Sequence, residues 1–570
     1  MSKNRQYRKA QRSFEQGRIS RRAFLQSAVA LGVSASAPLA LGAHHAAAQA
    51  AENYDYIVIG AGAAGCALAA RLSENPKVSV LVLEAGPPDE NQFIHIPATF
   101  PNLFKTALDW DYSSTEQPGL NGGRVYIPRG KVYGGSTSMN AMIYKRGHPS
   151  CFDAWGADNP GWSYEEVLPL FKRAENNERG ESDLHGVGGP LNVADLRDPN
   201  VLSRAFVAAA VEQGYAEQTE FNQADQEGFG LYQVTQKNGM RNSTAVAYLH
   251  PALERDNIVI QGEALVQKLL MEDDRCVGVA FEAGGETFEV GAKKEVILSA
   301  GTIGSPQILM LSGIGPANQL ESLGIDVVAD LPGVGENLQD HYMVPVAYSC
   351  TKPVSLAQAS KPEEAEKLTQ GMGLLTSNIG EGGGYLTVME DAKAPDLQFH
   401  FGPTYFIADG AGNPEGDGFT LLPGVVGTRS VGNLTLASSD PQDKPLINSN
   451  VYADERDLDV VVAGVKIARE IAHSAAFDEF RGEEVLPGAA VTSDDDIREF
   501  IRGNTQTIYH PVGTCKMGKD AMAVVDAELR VHNLKGLRVA DASIMPTIVN
   551  GNTNAASIMI GEKCSDLLRA

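Results

Sequence analysis

Tyr54-Asp55-Tyr56-Ile57-Val58-Ile59-Gly60-Ala61-Gly62-Ala63-Ala64-Gly65-Cys66-Ala67-Leu68, followed by Val78-Ser79-Val80-Leu81-Val82-Leu83-Glu84-Ala85-Gly86, decides the fold. The first run is a short apolar, β-branched strand. Gly60, Gly62 and Gly65 then give the spacing G-x-G-x-x-G. Ala63 and Ala64 open a stretch of small residues, so a helix there can pack close to a sheet. A second buried strand ends in Glu84-Ala85. The pattern predicts a strand–helix–strand unit that holds a dinucleotide. Gly60 permits a tight turn, and Gly62 lets the backbone approach a pyrophosphate. The helix N-terminus offers free N–H groups to the phosphate charge. Glu84 lies nineteen residues past Gly65, where a carboxylate can accept hydrogen bonds from a ribose. The unit by itself fits FAD or NAD.

At 570 residues the chain exceeds a single typical core, so two domains are expected. Its hydrophobic content of 43% and its 59 glycines fit a loop-rich α/β protein. The formal charge of −24 argues against nucleic acid or anionic membrane as a partner. Six scattered cysteines form no C-x-x-C pair, and no His/Cys cluster has metal spacing. Neither a disulfide framework nor a metal site is expected.

Residues 1–50 read as a leader outside the fold. A basic region ends in Ser20-Arg21-Arg22-Ala23-Phe24-Leu25, a mildly apolar run reaches Gly42, and Ala46-Ala47-Ala48-Gln49-Ala50 follows. The segment resembles a bacterial twin-arginine export signal. It predicts cleavage after Ala48 or Ala50 and a periplasmic mature protein. That route carries folded chains, which suits a protein that must first trap a bulky cofactor. Gln26, Gly32 and Pro38 make the run a poor permanent membrane span. A plain basic tail is the other reading.

A second glycine-rich stretch is Pro128-Arg129-Gly130-Lys131-Val132-Tyr133-Gly134-Gly135-Ser136-Thr137-Ser138-Met139-Asn140-Ala141-Met142. Gly134-Gly135 and three hydroxyl residues supply clustered donors for a phosphate or a flavin edge. This run resembles the first signature of the glucose–methanol–choline oxidoreductases, FAD enzymes that oxidise alcohols. Tyr133 departs from the aliphatic residue usual there. Glu295 to Gly315 resembles the second signature, read locally as a strand, a glycine turn, and a helix capped near Ser305 with Pro306 at its first position. Gly333 to His341 also matches a family segment.

The resemblance implies FAD contacts from the Gly60–Gly65 unit, Glu84, Ala85, Val132 and Gly135. It adds Asn140-Ala141-Met142 against the isoalloxazine, Val266 at the adenine, and Asp541 and Ala542 near the ribityl and phosphates. Met139 stands where some members carry a histidine that tethers FAD covalently, so dissociable FAD is expected.

The chemically decisive stretch is Thr507-Ile508-Tyr509-His510-Pro511. A histidine before proline is held extended, which restricts where its ring points. The family places its catalytic histidine at this His-Pro, and a second histidine or asparagine near the C-terminus. Asn550-Gly551-Asn552-Thr553-Asn554 offers Asn554 for that place. Neutral His510 can take the hydroxyl proton of an alcohol while FAD takes the hydride, and Asn554 can donate to the developing alkoxide.

Other residues are weighed more blandly. His341 reads as a structural loop histidine, and Cys515 as structural. Arg241-Asn242-Ser243-Thr244 reads as an N-cap before a helix through Leu249. Leu397 to Phe401 and Asn433 to Ala437 read as strands of an antiparallel sheet. Whether His400 faces the pocket is open, and Phe401, Tyr405 and Phe406 fit either pocket wall or core.

The fold class expected is therefore α/β, a Rossmann-like FAD-binding domain with a second α+β substrate domain on an antiparallel sheet. The FAD domain takes residues 51–150, 240–345 and 506–570; the substrate domain takes 151–239 and 346–505. The expected reaction oxidises a primary alcohol, aliphatic or aromatic, to an aldehyde. A quinone, a cytochrome or oxygen accepts the electrons, and export leans towards a dehydrogenase. A lyase or photodecarboxylase of the same fold is the alternative, although residues 351–514 hold no cysteine for the latter.

Overall fold

The computed structural model describes residues 53–569, so the leader expected over residues 1–50 lies outside them. Strand Asn53–Ile59 is nearly all buried, as a strand covered on both faces must be. It lies parallel to Val80–Leu83 on one side and to the end of Glu286–Leu298 on the other. Ile258–Gln261 extends the parallel set beyond Val80–Leu83, and Leu537–Val539 pairs with Glu286–Leu298. Ile59 sits opposite both Leu83 and Leu298, and Leu298 opposite Val539. Gly60, Glu84, Ser299 and Ala540 thus emerge together at one edge, the place where open parallel sheets bind ligands.

Helix α1 (Ala63–Leu72) follows at once and is buried along most of its length. A Cβ on Gly65 would stand 1.9 Å from the Gly60 carbonyl oxygen, so this glycine sets how closely helix and strand approach. Gly60 itself has φ +99°, which only glycine adopts freely.

Two local expectations change. The runs Glu286–Val290 and Glu295–Leu298 are one 13-residue strand. Its first part pairs antiparallel with Arg275–Ala283, and its last part joins the parallel set. Helix α2 runs Gly301–Leu311 and so starts ahead of Ser305, with Pro306 inside it. Pro306 has no N–H for the Thr302 carbonyl, but the Thr514 hydroxyl donates to that oxygen at 2.5 Å instead. Ser305 is not a cap; its hydroxyl binds Asp541 Oδ2 at 2.6 Å. In the run before Leu249 the expected cap is made by Ser243, whose hydroxyl accepts from the Val246 N–H at 3.2 Å, while Asn242 Oδ1 accepts from the Asn192 backbone. The segment after it, Ala245–Leu249, is a π-helical turn.

A second sheet of eight strands is antiparallel throughout, in the order 481–486, 346–350, 418–425, 397–402, 382–386, 228–231, with 342–343 and 506–507 attached at 418–425. The glycine run Gly382-Gly383-Gly384 lets aromatic rings lie on its surface. A Cβ at Gly383 would meet the Tyr232 hydroxyl at 2.1 Å, and one at Gly384 the Phe229 ring at 2.4 Å. Leu397–Gly402 belongs to this sheet, but Asn433–Thr435 pairs only with Leu446–Asn448, outside it. Tyr342–Met343 and Gln506–Thr507 pair with each other inside the second sheet, close to where the chain enters and leaves it. No described helix is long and apolar enough to cross a membrane.

Candidate active site

A single cavity runs from the edge of the parallel strands to the antiparallel sheet. At its first end lie Gly60, Gly62, Ala63, Ala64, Glu84, Ala85, Gly135, Val266, Asp541 and Ala542. The Glu84 carboxylate accepts from the Ala61 and Gly86 backbone N–H groups at 2.8 and 2.9 Å. Burial pushes its carboxyl up to about 7, against the pull of those two N–H groups. A Cβ on Gly62 would meet nothing within 4 Å. The N-terminus of α1 therefore faces open space.

Asp541 ties α2 to the last parallel strand. Its carboxylate accepts from the Gly301 and Ser543 backbone N–H groups at 2.9 and 2.8 Å, besides the Ser305 hydroxyl. Asn140, Ala141 and Met142 border the middle of the cavity, with Met142 at φ +57°. Asn140 Oδ1 accepts from the Met142 N–H at 3.0 Å and from Arg241 Nη1 at 2.7 Å. Arg241 is buried, and burial lowers its guanidinium to about 9.

Two expected cofactor contacts fall elsewhere. Gly65 lies behind the turn, where it spaces α1 from the strand rather than bordering the cavity. The Val132 side chain packs among Phe93, Ile94, Leu103 and Met139, turned away from the cavity.

The other end is built by one strand pair. Tyr342 pairs with Thr507, and the Ile508 N–H donates to the His341 carbonyl. This register sets Asp340-His341 beside Tyr509-His510. Asp340 Oδ1 accepts from both the His341 and His510 backbone N–H groups at 2.8 Å. Burial raises the Asp340 carboxyl to about 7, with Arg129 opposing. His510, fixed by Asp340 on one side and Pro511 on the other, is 7% exposed and lines the cavity.

His510 Nε2 lies 3.2 Å from Asn552 Nδ2. Asn552 Oδ1 in turn accepts from Gln398 Nε2 at 3.3 Å, which orients the amide. An amide nitrogen only donates, so His510 Nε2 carries the lone pair and Nδ1 the proton. That Nδ1–H donates to His341 Nδ1 at 3.1 Å. Burial, with His341, His400 and Arg129 nearby, holds His510 well below the ordinary imidazole range. His341 is lowered to about 3 and His400 to about 4, both chiefly by burial. The ring is thus a neutral acceptor, with its lone pair at the cavity.

The amide bonded to the His510 ring is therefore that of Asn552, while Asn554, expected beside the substrate oxygen, borders the same cavity. Asn554 is the first residue of α3 (Asn554–Arg569), and its side chain makes no hydrogen bond among the described residues. Asn552 precedes the helix, after Gly551 at φ +126°, and so reaches a different direction. Helix α3 is seated against α1, where a Cβ on Gly561 would stand 2.3 Å from the Ala64 carbonyl oxygen.

His341 bonds directly to the His510 ring and is more than a loop residue. His400 lines the cavity, whereas Phe401 stacks on Phe206 in the core and Tyr405 packs over Gly418. Phe406 lines the cavity, and Cys515 is fully buried away from it.

Profiles of one family, described as GMC oxidoreductase, match residues 54–343 and 428–561. The chain belongs to the GMC oxidoreductase family. It is 43% identical to human mitochondrial choline dehydrogenase over 92% of this chain and 91% of that one. It is 44% identical to an alcohol dehydrogenase [acceptor] of Pseudomonas putida over 90% and 95%. Among solved structures it resembles pyridoxine 4-oxidase from Mesorbium loti, with TM-score 0.83, 32% identity and coverage of 90% and 99%. It also resembles a FAD-dependent oxidoreductase from Chaetomium thermophilum, with TM-score 0.81, 28% identity and coverage of 91% and 99%.

This GMC protein is an enzyme that uses FAD. Its cavity fits that cofactor at both ends. Gly62 leaves space beside the N–H groups of α1, Glu84 presents a buried carboxylate at the cavity, and Asn140-Ala141-Met142 border the stretch before His510. Met139 also borders the cavity, and a thioether offers no nitrogen for a covalent tether.

Proposed function

We propose that this GMC enzyme oxidises a primary alcohol to an aldehyde, with His510 as base and Asn552 as hydrogen-bond donor. The observation that carries the proposal is the 3.2 Å contact between His510 Nε2 and Asn552 Nδ2 at the cavity wall. FAD, when bound, supplies the two-electron acceptor that takes the hydride from the alcohol carbon. His510 Nε2 receives the hydroxyl proton, so one C–H and one O–H bond break and a C=O bond forms. The second N–H of Asn552 donates to the oxygen as charge develops there. Asn552 stays neutral at any working pH, so it cannot compete for the proton. His341 accepts the His510 Nδ1–H and keeps the lone pair on Nε2; the alcohol hydroxyl displaces the Asn552 N–H there when it delivers its proton.

Met139 supports dissociable FAD. The names of the relatives support an alcohol substrate, and they divide over the acceptor: several are oxygen-dependent choline dehydrogenases and one is an alcohol dehydrogenase [acceptor], so a quinone, a cytochrome or oxygen takes the electrons. The test is the visible spectrum of the purified yellow protein under argon. An alcohol substrate should bleach the flavin, and Asn552→Ala should slow that bleaching by roughly 100-fold. Flavin that stays oxidised with every alcohol, as a lyase would leave it, contradicts the proposal.

A further inference from the structure

The wall opposite the nucleotide end is made of one packed apolar cluster. Phe100, Met343, Ile379, Phe406, Leu422 and Ile508 all line the cavity and are each less than 9% exposed. They come from six separate stretches of the chain. Phe100 lies in the 3-10 turn Pro97–Leu103, and Leu422 in strand Gly418–Val425. Met343 and Ile508 lie at the strand pair that positions His510. Ala141, on the turn before His510, packs against the same cluster. The carbon chain of a substrate held at His510 therefore meets a largely apolar wall.

The charges bordering the cavity are three: Glu84, Asp541 and Arg129. Glu84 and Asp541 stand at the nucleotide end, and backbone N–H groups already hold both. Arg129 lies near His510, where Nη2 donates to the Tyr509 carbonyl at 2.5 Å, and it has no carboxylate within ion-pair distance among the described residues. Two acids stand on that side without bordering the cavity: Asp340 holds the His510 backbone N–H at 2.8 Å, and Asp409 sits behind Tyr509 and accepts its hydroxyl at 2.5 Å. Of the aromatic rings bordering the cavity, Trp110 already carries the Lys131 ammonium at 4.7 Å and stacks on Tyr112, while Phe104 packs edge-on with Phe100 and Tyr509.

We infer that this enzyme takes uncharged, apolar alcohols and rejects quaternary-ammonium alcohols, although several of its relatives are named choline dehydrogenases. The inference rests on the alcohol oxidation proposed above and names its substrate class. A trimethylammonium group here would lose its water, find no carboxylate and face a guanidinium. An unpaired buried charge is strongly disfavoured. A tert-butyl group of the same shape would instead gain from burial.

The test compares choline with its neutral isostere, 3,3-dimethylbutan-1-ol, and with hexan-1-ol, on the wild-type holoenzyme. Flavin bleaching is followed under argon, and turnover with an artificial dye acceptor. The neutral alcohols should exceed choline in kcat/KM by at least about 100-fold, and millimolar choline should not slow their oxidation. Choline turnover equal to or above that of the isostere overturns the inference and leaves alcohol oxidation standing. If no alcohol bleaches the flavin, alcohol oxidation itself falls and this inference with it.

Discussion

A single hydrogen-bonded row explains how one imidazole here becomes a base. Asn552 donates to Nε2 of His510, and His341 accepts from Nδ1, so the tautomer is set from both sides. Burial lowers the pKa of His510 well below that of an exposed histidine, about 6.5. Protonation of the base stops the reaction, so a lowered pKa moves the loss of activity towards acid. The kcat/KM for an alcohol should therefore stay level from pH 8 to pH 6.5 and fall only below that. A limb titrating at or above pH 6.5 would show that the base is an ordinary, solvated imidazole. His510 was legible in the sequence because proline follows it and the surrounding run resembles a known motif. Its partner was not. Asn550, Asn552 and Asn554 are chemically alike, and only the point where α3 begins decides which amide reaches the ring. His341 was undervalued for a similar reason. Its contact depends on Tyr342 pairing with Thr507, two positions far apart in the chain.

Among the elements, the turn between the first strand and α1 separates two uses of glycine. Gly65 is required by the protein itself, because a side chain would strike the Gly60 carbonyl. Gly62 has φ −83° and open space beside it, so the protein alone does not require a glycine there. Gly62→Ala should leave the melting temperature of the apoprotein within about 1 °C. It should weaken FAD binding at least ~10-fold, because the added methyl enters the space beside the helix N-terminus. Titration of FAD into apoprotein, with a melting curve alongside, checks both halves. Unchanged FAD affinity would mean that the pyrophosphate does not approach this turn. The parallel strands and α1 were legible because buried β-branched runs and glycine spacing are local signals. The start of α2 was not, because Pro306 is tolerated inside the helix only through the hydroxyl of Thr514. That compensation comes from a residue about two hundred positions away.

For the whole molecule, the site is a product of two sheets. The parallel sheet presents Gly60, Glu84 and Asp541 at one edge, and the antiparallel sheet presents His400 and the apolar wall. His510 and Asn552 enter from the C-terminal segment between them. The two-sheet class was legible from the change between continuous apolar strands and alternating ones. The pairing of 342–343 with 506–507 was not, since two-residue strands carry no periodic signal. The most direct measurement is the single-turnover rate of flavin bleaching by a substrate alcohol, under argon, in wild type and His510→Ala. The visible spectrum of the same sample reports how much FAD is bound. The variant should keep its yellow cofactor and bleach roughly 10² to 10⁴-fold more slowly, the usual contribution of a positioned base. A fully loaded His510→Ala enzyme that bleaches at the wild-type rate would contradict the account.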